Sequence, residues 1–256
     1  MIPLRQSTIN MILRCPHQYE MLHTYGRVPP GIAAISGSAT HEAAEYNHVQ
    51  KVKSGRDEPL EVLQDCADQK FRDRLMNEGL YILEEERPSL QRIIEDGRQR
   101  TKVCTEIYHK HVAPKIQPVE EFTEKKIEVE IAGVLLQGTF DTADAKDNIF
   151  DFKTSASKYQ ERYIRRAIQP THYSLMYYKK KGKFPTFHTE ILVQNGEHQP
   201  LEVTKTEADF EKHLNLCRTV LKIIESGLFP PCNPDPKCSW WCAPKWCGWY
   251  SLCEYT

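Results

Sequence analysis

Two aspartates and a lysine are the residues best placed to do chemistry. Asp151 and Lys153 stand two apart in Ile149-Phe150-Asp151-Phe152-Lys153, and Asp141 closes Gly138-Thr139-Phe140-Asp141 ten residues earlier. Side chains alternate along a strand, so Asp151 and Lys153 share a face and Phe152 points away. A loop centred on Lys146 puts Asp141 directly across from Asp151, where Cβ atoms of antiparallel neighbours lie about 4.5–5.5 Å apart. The same register gathers Phe140, Phe150 and Phe152 on the opposite, buried face. Carboxylates this close repel unless a cation sits between them. Such an oxygen-rich pair suits Mg²⁺ or Mn²⁺. The lysine can position or deprotonate a water, or stabilise charge on a phosphate.

Other polar residues surround this trio in sequence. His41, Glu45 and His48 follow Gly37 at helical spacing and form one polar stripe. Gln169 and Tyr173 are one helical turn apart, just after Arg162, Arg165 and Arg166. From Lys153 to Lys183 nine basic residues face one acid, a local net of +8, whereas Asp57 to Asp96 holds five basic residues and twelve acids, a net of -7. A basic stretch bearing aromatics, with acid elsewhere, suits a protein that handles a polyanion on one face. The ordinary alternative is two solvated helix surfaces.

Cysteine usage carries a separate message. There are nine, with Cys232, Cys238, Cys242, Cys247 and Cys253 crowded near the end. An odd count behind an amino terminus without a secretory signal argues against a disulfide framework and for metal or cluster ligation. Cys66, Cys104 and Cys217 sit singly in helical sequence and read as buried core residues.

The elements that must hold these residues follow from periodicity. Helices are expected from Ser7, as a cap, through Leu13; from Pro16 to near Gly26; from Ser38 past Val49; from Pro59 to Gly79; and from Pro88 to about Val112. Period-2 patterning then gives a strand at Ile127–Ile131, a turn at Ala132-Gly133, a strand from Val134 to Thr142 and a third at Ile149–Lys153. Helix returns from about Lys158 to Lys181, broken at Pro170. Strands at Phe187–Val193 and Leu201–Val203 and a helix from Glu207 to Ser226 precede the Cys- and Trp-rich tail. This order implies an α/β fold with a mixed sheet flanked by helices.

Composition excludes several classes. Of 256 residues 40% are hydrophobic and 27% charged, an ordinary globular make-up with net charge -1. Mean hydropathy is -0.58, and apolar runs are too short for a membrane span. The chain is expected to be intracellular, in the cytoplasm of a prokaryote or a phage-infected host, with no membrane partner.

In order, Gly37-x-x-x-His41, Gly138-x-x-Asp141, Asp151-x-Lys153 and Gln169-x-x-x-Tyr173 resemble the motif series of the PD-(D/E)XK nuclease superfamily, in its RecB-like branch. Phe140 stands where the superfamily's name has proline. The tail resembles the iron–sulfur subset of that branch, which includes CRISPR-associated and phage exonucleases. The resemblance implies one nuclease domain over residues 1–256: a helical part to about 115, a catalytic core to about 205, and a C-terminal helix with a cluster-binding tail. It implies a Mg²⁺- or Mn²⁺-dependent deoxyribonuclease, exonuclease ahead of endonuclease. His41, Asp141, Asp151 and the Phe152 carbonyl would bind the metal, and Lys153 would orient or activate water. Gln169, Tyr173, Arg165 and Arg166 would contact DNA, single-stranded or end-bearing duplex. Cys15, Cys242, Cys247 and Cys253 would hold a structural 4Fe–4S cluster, with Cys232 and Cys238 as further candidates. Partners would include proteins of recombination or CRISPR adaptation. Rival readings are a non-catalytic DNA-end-binding or assembly subunit and a zinc-binding interaction protein.

Overall fold

The structure, a computed structural model, describes every residue except Glu124. Helices come first: α1 Gln6–Arg14, α2 Pro16–Tyr25, α3 Ile32–Ser54, α4 Leu60–Glu78 and α5 Leu90–Ile107. α1 starts one residue before Ser7, with Arg5 as N-cap, so Ser7 lies inside its first turn. Pro16 opens α2 at its first position, where its missing N–H costs nothing. α3 begins at Ile32, six residues ahead of Ser38, with Gly31 as N-cap and no side-chain cap. Past α5 the helix widens into one π turn at Tyr108–Val112.

Strands β1 Lys126–Ile131 and β2 Val134–Thr139 form an antiparallel hairpin, and Leu4 bridges to Leu136 beside it. The main sheet is β3 Thr142–Ala143, β4 Asn148–Ser155, β5 Thr186–Val193 and β6 His198–Thr204 in that spatial order. β3–β4 and β5–β6 are antiparallel and β4–β5 parallel, the mixed sheet expected. Between β4 and β5 the chain passes through α6 Glu161–Arg166 and α7 Ile168–Lys181; α8 Glu207–Ser226 follows β6. The interruption expected at Pro170 falls at Ala167 instead. Pro170 is in the first turn of α7, where proline is tolerated.

Two layers of packing enclose the sheet. Leu4, Ile9 and Ile12 of the amino terminus join Phe122, Phe140, Tyr173, Met176, Tyr177 and Phe187 in one core. On the other side Phe150 and Phe152 pack with Ala44, Leu63, Ile107 and Tyr108. The phenylalanines are therefore divided, not gathered on one face. The long strand expected from Val134 to Thr142 breaks at Phe140-Asp141, between β2 and β3, and the break turns Phe140 toward Tyr173, ring centroids 5.0 Å apart. Burying each of these rings contributes roughly 1.5–3 kcal/mol.

Candidate active site

β4 and the break before β3 position the acidic pair. Thr142 pairs with Phe150 and Ala143 with Ile149, so continuing that register sets Asp141 opposite Asp151. The intervening turn is held by Asp144, whose Oδ1 accepts from the Lys146 and Asn148 amides at 2.8 and 3.0 Å. Asp141 Oδ2 accepts from the Phe152 amide at 3.0 Å and lies 3.3 Å from His41 Nδ1. Asp151 Oδ1 accepts from Lys153 Nζ at 2.9 Å and from Gln169 Nε2 at 2.6 Å. Each carboxylate thus spends one oxygen on protein donors. Among the described residues Asp141 Oδ1 and Asp151 Oδ2 have no hydrogen-bond partner.

Glycines let the flanking helices approach. A Cβ on Gly37 would sit 3.0 Å from Thr154 Oγ1, so α3 presses close on β4 and brings His41 to Asp141. A Cβ on Gly138 would lie 2.6 Å from Tyr173 Cε1, so that glycine admits the α7 ring against β2. Burial, with Asp141 and Asp151 adding to it, pushes the Tyr173 phenol well above its usual range, so the ring stands beside the acidic pair as a neutral phenol.

Charge within the site is uneven. Burial pushes the Asp151 carboxyl above its usual range and Asp141 adds to this, against the pull of Lys153. Asp141 is also disfavoured by burial, but His41, Lys153 and the Phe152 amide together hold it below the usual range. Burial pulls His41 down, and Asp141 more than compensates, so the imidazole is raised. Lys153 behaves likewise: burial lowers it, and Asp151 with Asp141 leaves it raised.

The stripe along α3 divides. Glu45 is half-buried, its carboxyl raised by burial and by Glu42, with Asp141 adding a smaller push. His48 turns inward instead, its Nε2 2.9 Å from the Tyr108 hydroxyl, and burial takes it down to about 4. It belongs to the core under Phe152, not to the site. Arg165 and Arg166 are exposed on α6; Arg165 pairs with Glu161, while Lys181 and Lys183 pair with Glu121 and Asp147. The local surplus of +8 is partly neutralised at the surface. Tyr173 is 8% exposed, mostly core and reaching solvent only at its rim.

A second constellation joins the two ends of the chain. Cys15, Cys232, Cys242, Cys247 and Cys253 line one apolar cavity of about 20 Å³, whereas Cys238 is exposed outside it. The Cys232 amide donates to Cys15 Sγ at 3.3 Å, and Gln18 Nε2 donates to Cys247 Sγ at 3.3 Å. Burial, and neighbouring Cys232, push the Cys242 thiol up to about 11. Five sulfurs, with the His17 imidazole also in the lining, suit a soft metal or an iron–sulfur group. Among the described residues no three His, Cys, Asp or Glu side chains converge in metal-ion geometry, here or at the aspartates. Cys104 and Cys217 are buried singly, as expected, and burial pushes both up to about 12. Sequence reasoning missed Gln18 and the exposed Arg5 and Arg27, isolated polar residues whose roles depend on folding.

A helix-flanked mixed sheet that presents a carboxylate pair with a lysine defines an α/β fold of the nuclease type. The chain belongs to the PD-(D/E)XK nuclease superfamily, whose model matches residues 3–254. In structure it is similar to the "Putative exonuclease" of Eubacterium rectale, with a TM-score of 0.58 at 13% identity, covering 93% of this chain and 86% of that one. A crystal structure of SSO0001 is more distant, with a TM-score of 0.41 at 12% identity over 98% and 85% of the two chains. No match is found among curated proteins. Among the described residues no helix is long and apolar enough to cross a membrane.

Proposed function

We propose that the protein is a Mg²⁺- or Mn²⁺-dependent deoxyribonuclease, more exonuclease than endonuclease, with a structural iron–sulfur cluster. The observation that carries this is the pairing of Asp141 with Asp151, each with one oxygen free, beside Lys153. His41, Asp141, Asp151 and the Phe152 carbonyl would hold the divalent cation. When bound, that cation supplies charge for the phosphate and a more acidic water. Lys153 would orient or activate the water from its seat on Asp151, and Gln169 keeps Asp151 from rotating away. Gln169 and the rim of Tyr173 would meet the DNA next to the scissile phosphate, with Arg165 and Arg166 on flanking phosphates. Glu45, whose carboxyl feels the Asp141 charge, would serve as an auxiliary ligand. Cys15, Cys242, Cys247 and Cys253 would be the cluster thiolates, with Cys232 in direct competition. A structural subunit would have no use for a buried aspartate whose charge is disfavoured, which weighs against the non-catalytic rival.

The test is incubation of purified protein with end-labelled single- and double-stranded DNA, with Mn²⁺ and with EDTA. Progressive shortening from an end, dependent on the metal, is expected. Intact DNA under all conditions would sink the proposal.

A further inference from the structure

A trough opens beside Asp141 and Asp151, at the Tyr173 ring that feels their charge. Thr139 and Tyr173 line a cavity of about 240 Å³ together with Arg5, Ser7 and Gln137. The same Arg5, Ser7 and Gln137 line a larger cavity of about 620 Å³ that runs on to Tyr19, Arg27 and Trp249. The shared wall makes these two spaces one path, from the foot of α7 past the start of α1 to the cysteine-rich tail.

Its lining has a definite chemistry. Arg5 is exposed where the two cavities meet and Arg27 is exposed in the larger one, and among the described residues no Asp or Glu lines either cavity. Between the arginines lie a hydroxyl, an amide and the Tyr19 ring. A ligand that is charged at each repeat and flat and apolar between charges matches this lining: a single nucleic-acid strand, with phosphates on arginines and bases on rings. The far wall is built by the tail. Trp249 Nε1 donates to the Gly26 carbonyl at 3.2 Å, and a Cβ on Gly248 would lie 2.3 Å from Val28 Cγ2. Gly248 and Trp249 therefore clamp residues 26–28 and set Arg27 at the rim.

We infer that this trough carries one DNA strand away from Asp141 and Asp151, with Arg5 midway along it and Arg27 toward the distal end. The inference rests on the nuclease reading and gives the cysteine-rich tail a part in strand binding. Arg27→Glu and Arg5→Glu are made in an Asp151→Asn background, and binding of labelled oligothymidylates of about 4 to 20 nucleotides is followed by anisotropy over a salt series. Both variants should bind the longest strand about tenfold more weakly, with a salt slope flatter by about one contact. Arg27→Glu should also shorten the length at which affinity levels off and spare the shortest strand. Arg27→Gln, which removes charge without adding any, should show the same length signature, and thermal melts check that folding is intact. Parental affinity and slope in both arginine variants, or equal loss on blunt duplex, would overturn the trough while cleavage by wild type leaves the nuclease reading standing. A wild-type chain that neither binds nor cuts DNA with Mn²⁺ would overturn both.

Discussion

Asp151 is 3% exposed, and its charged form is disfavoured by burial and by Asp141. Lys153 and Gln169 hold that carboxylate in place beside Asp141, the arrangement that the proposed chemistry needs. Asp151→Asn keeps the shape and loses the charge. Cleavage should fall about 10²–10³-fold in a gel assay, while the melting temperature stays near that of wild type. An equal loss in both would make Asp151 structural. The register that pairs Thr142 with Phe150 and Ala143 with Ile149 was legible because a short polar loop fixes it by symmetry about Lys146. The position of Phe140 was not, because alternation assumes an unbroken strand. Nor was the inward turn of His48, since spacing sets which helix face a residue takes but not how far the neighbouring layer reaches around it.

Helix α8 was legible to the residue because Thr206 and Asp209 form a reciprocal cap before its apolar pattern begins. The start of α3 was hidden because Gly31 offers no capping side chain. How α7 meets α8 is a tertiary matter, and it makes a pH prediction. His172 Nε2 lies 3.1 Å from the Gln137 carbonyl, which can only accept, so that nitrogen carries the proton. His172 Nδ1 must then accept from His213 Nε2, 3.0 Å away, and both rings are neutral. Burial takes His172 down to about 4 and, with His172 adding to it, His213 down to about 3. Both lie below the unfolded value of about 6.5, so the unfolded chain binds more protons as pH falls. Their contribution is complete above about pH 6.5 and is lost progressively between there and pH 3–4, at up to about 1.4 kcal/mol per pH unit for each ring. Urea melts of wild type and His213→Leu over that range should show a shallower acid slope in the variant. Identical slopes would mean that the pair does not govern acid stability. The packing of α7 on β2 makes Gly138→Ala informative: its Cβ must displace the Tyr173 ring, costing about 1–3 kcal/mol, and shift α7, which carries Gln169. Stability and cleavage should fall together.

At the scale of the molecule, the tail has too little regular structure to hold itself. It packs on residues from the other end of the chain: Cys15 and Gln18 of the α2 region, and residues 26–28. Clustering alone was enough to read the tail as a sulfur site, but not to choose its members, because sequence spacing does not say which loop folds inward. The fold brings Cys232 as close as the four cysteines named by resemblance and leaves Cys238 outside. Five sulfurs therefore line one cavity, where the proposed iron–sulfur cube would take four thiolates. Burial raises Cys15 and Cys242, so metal binding there must release protons, and the apo form should be the less stable one. Anaerobically purified protein is expected to be brown, with absorbance near about 400 nm and about four irons per chain. Cys15→Ala should lose iron, colour and thermal stability together, because Cys15 is the thiol that ties the first helices to the last residues. Cys232→Ala decides membership: full iron content makes Cys232 a bystander hydrogen-bonded through its amide, and loss of iron places it in the set at the expense of one of the other three. Colourless protein with stoichiometric zinc, or Cys15→Ala with full iron, would overturn the cluster and make the tail a zinc site.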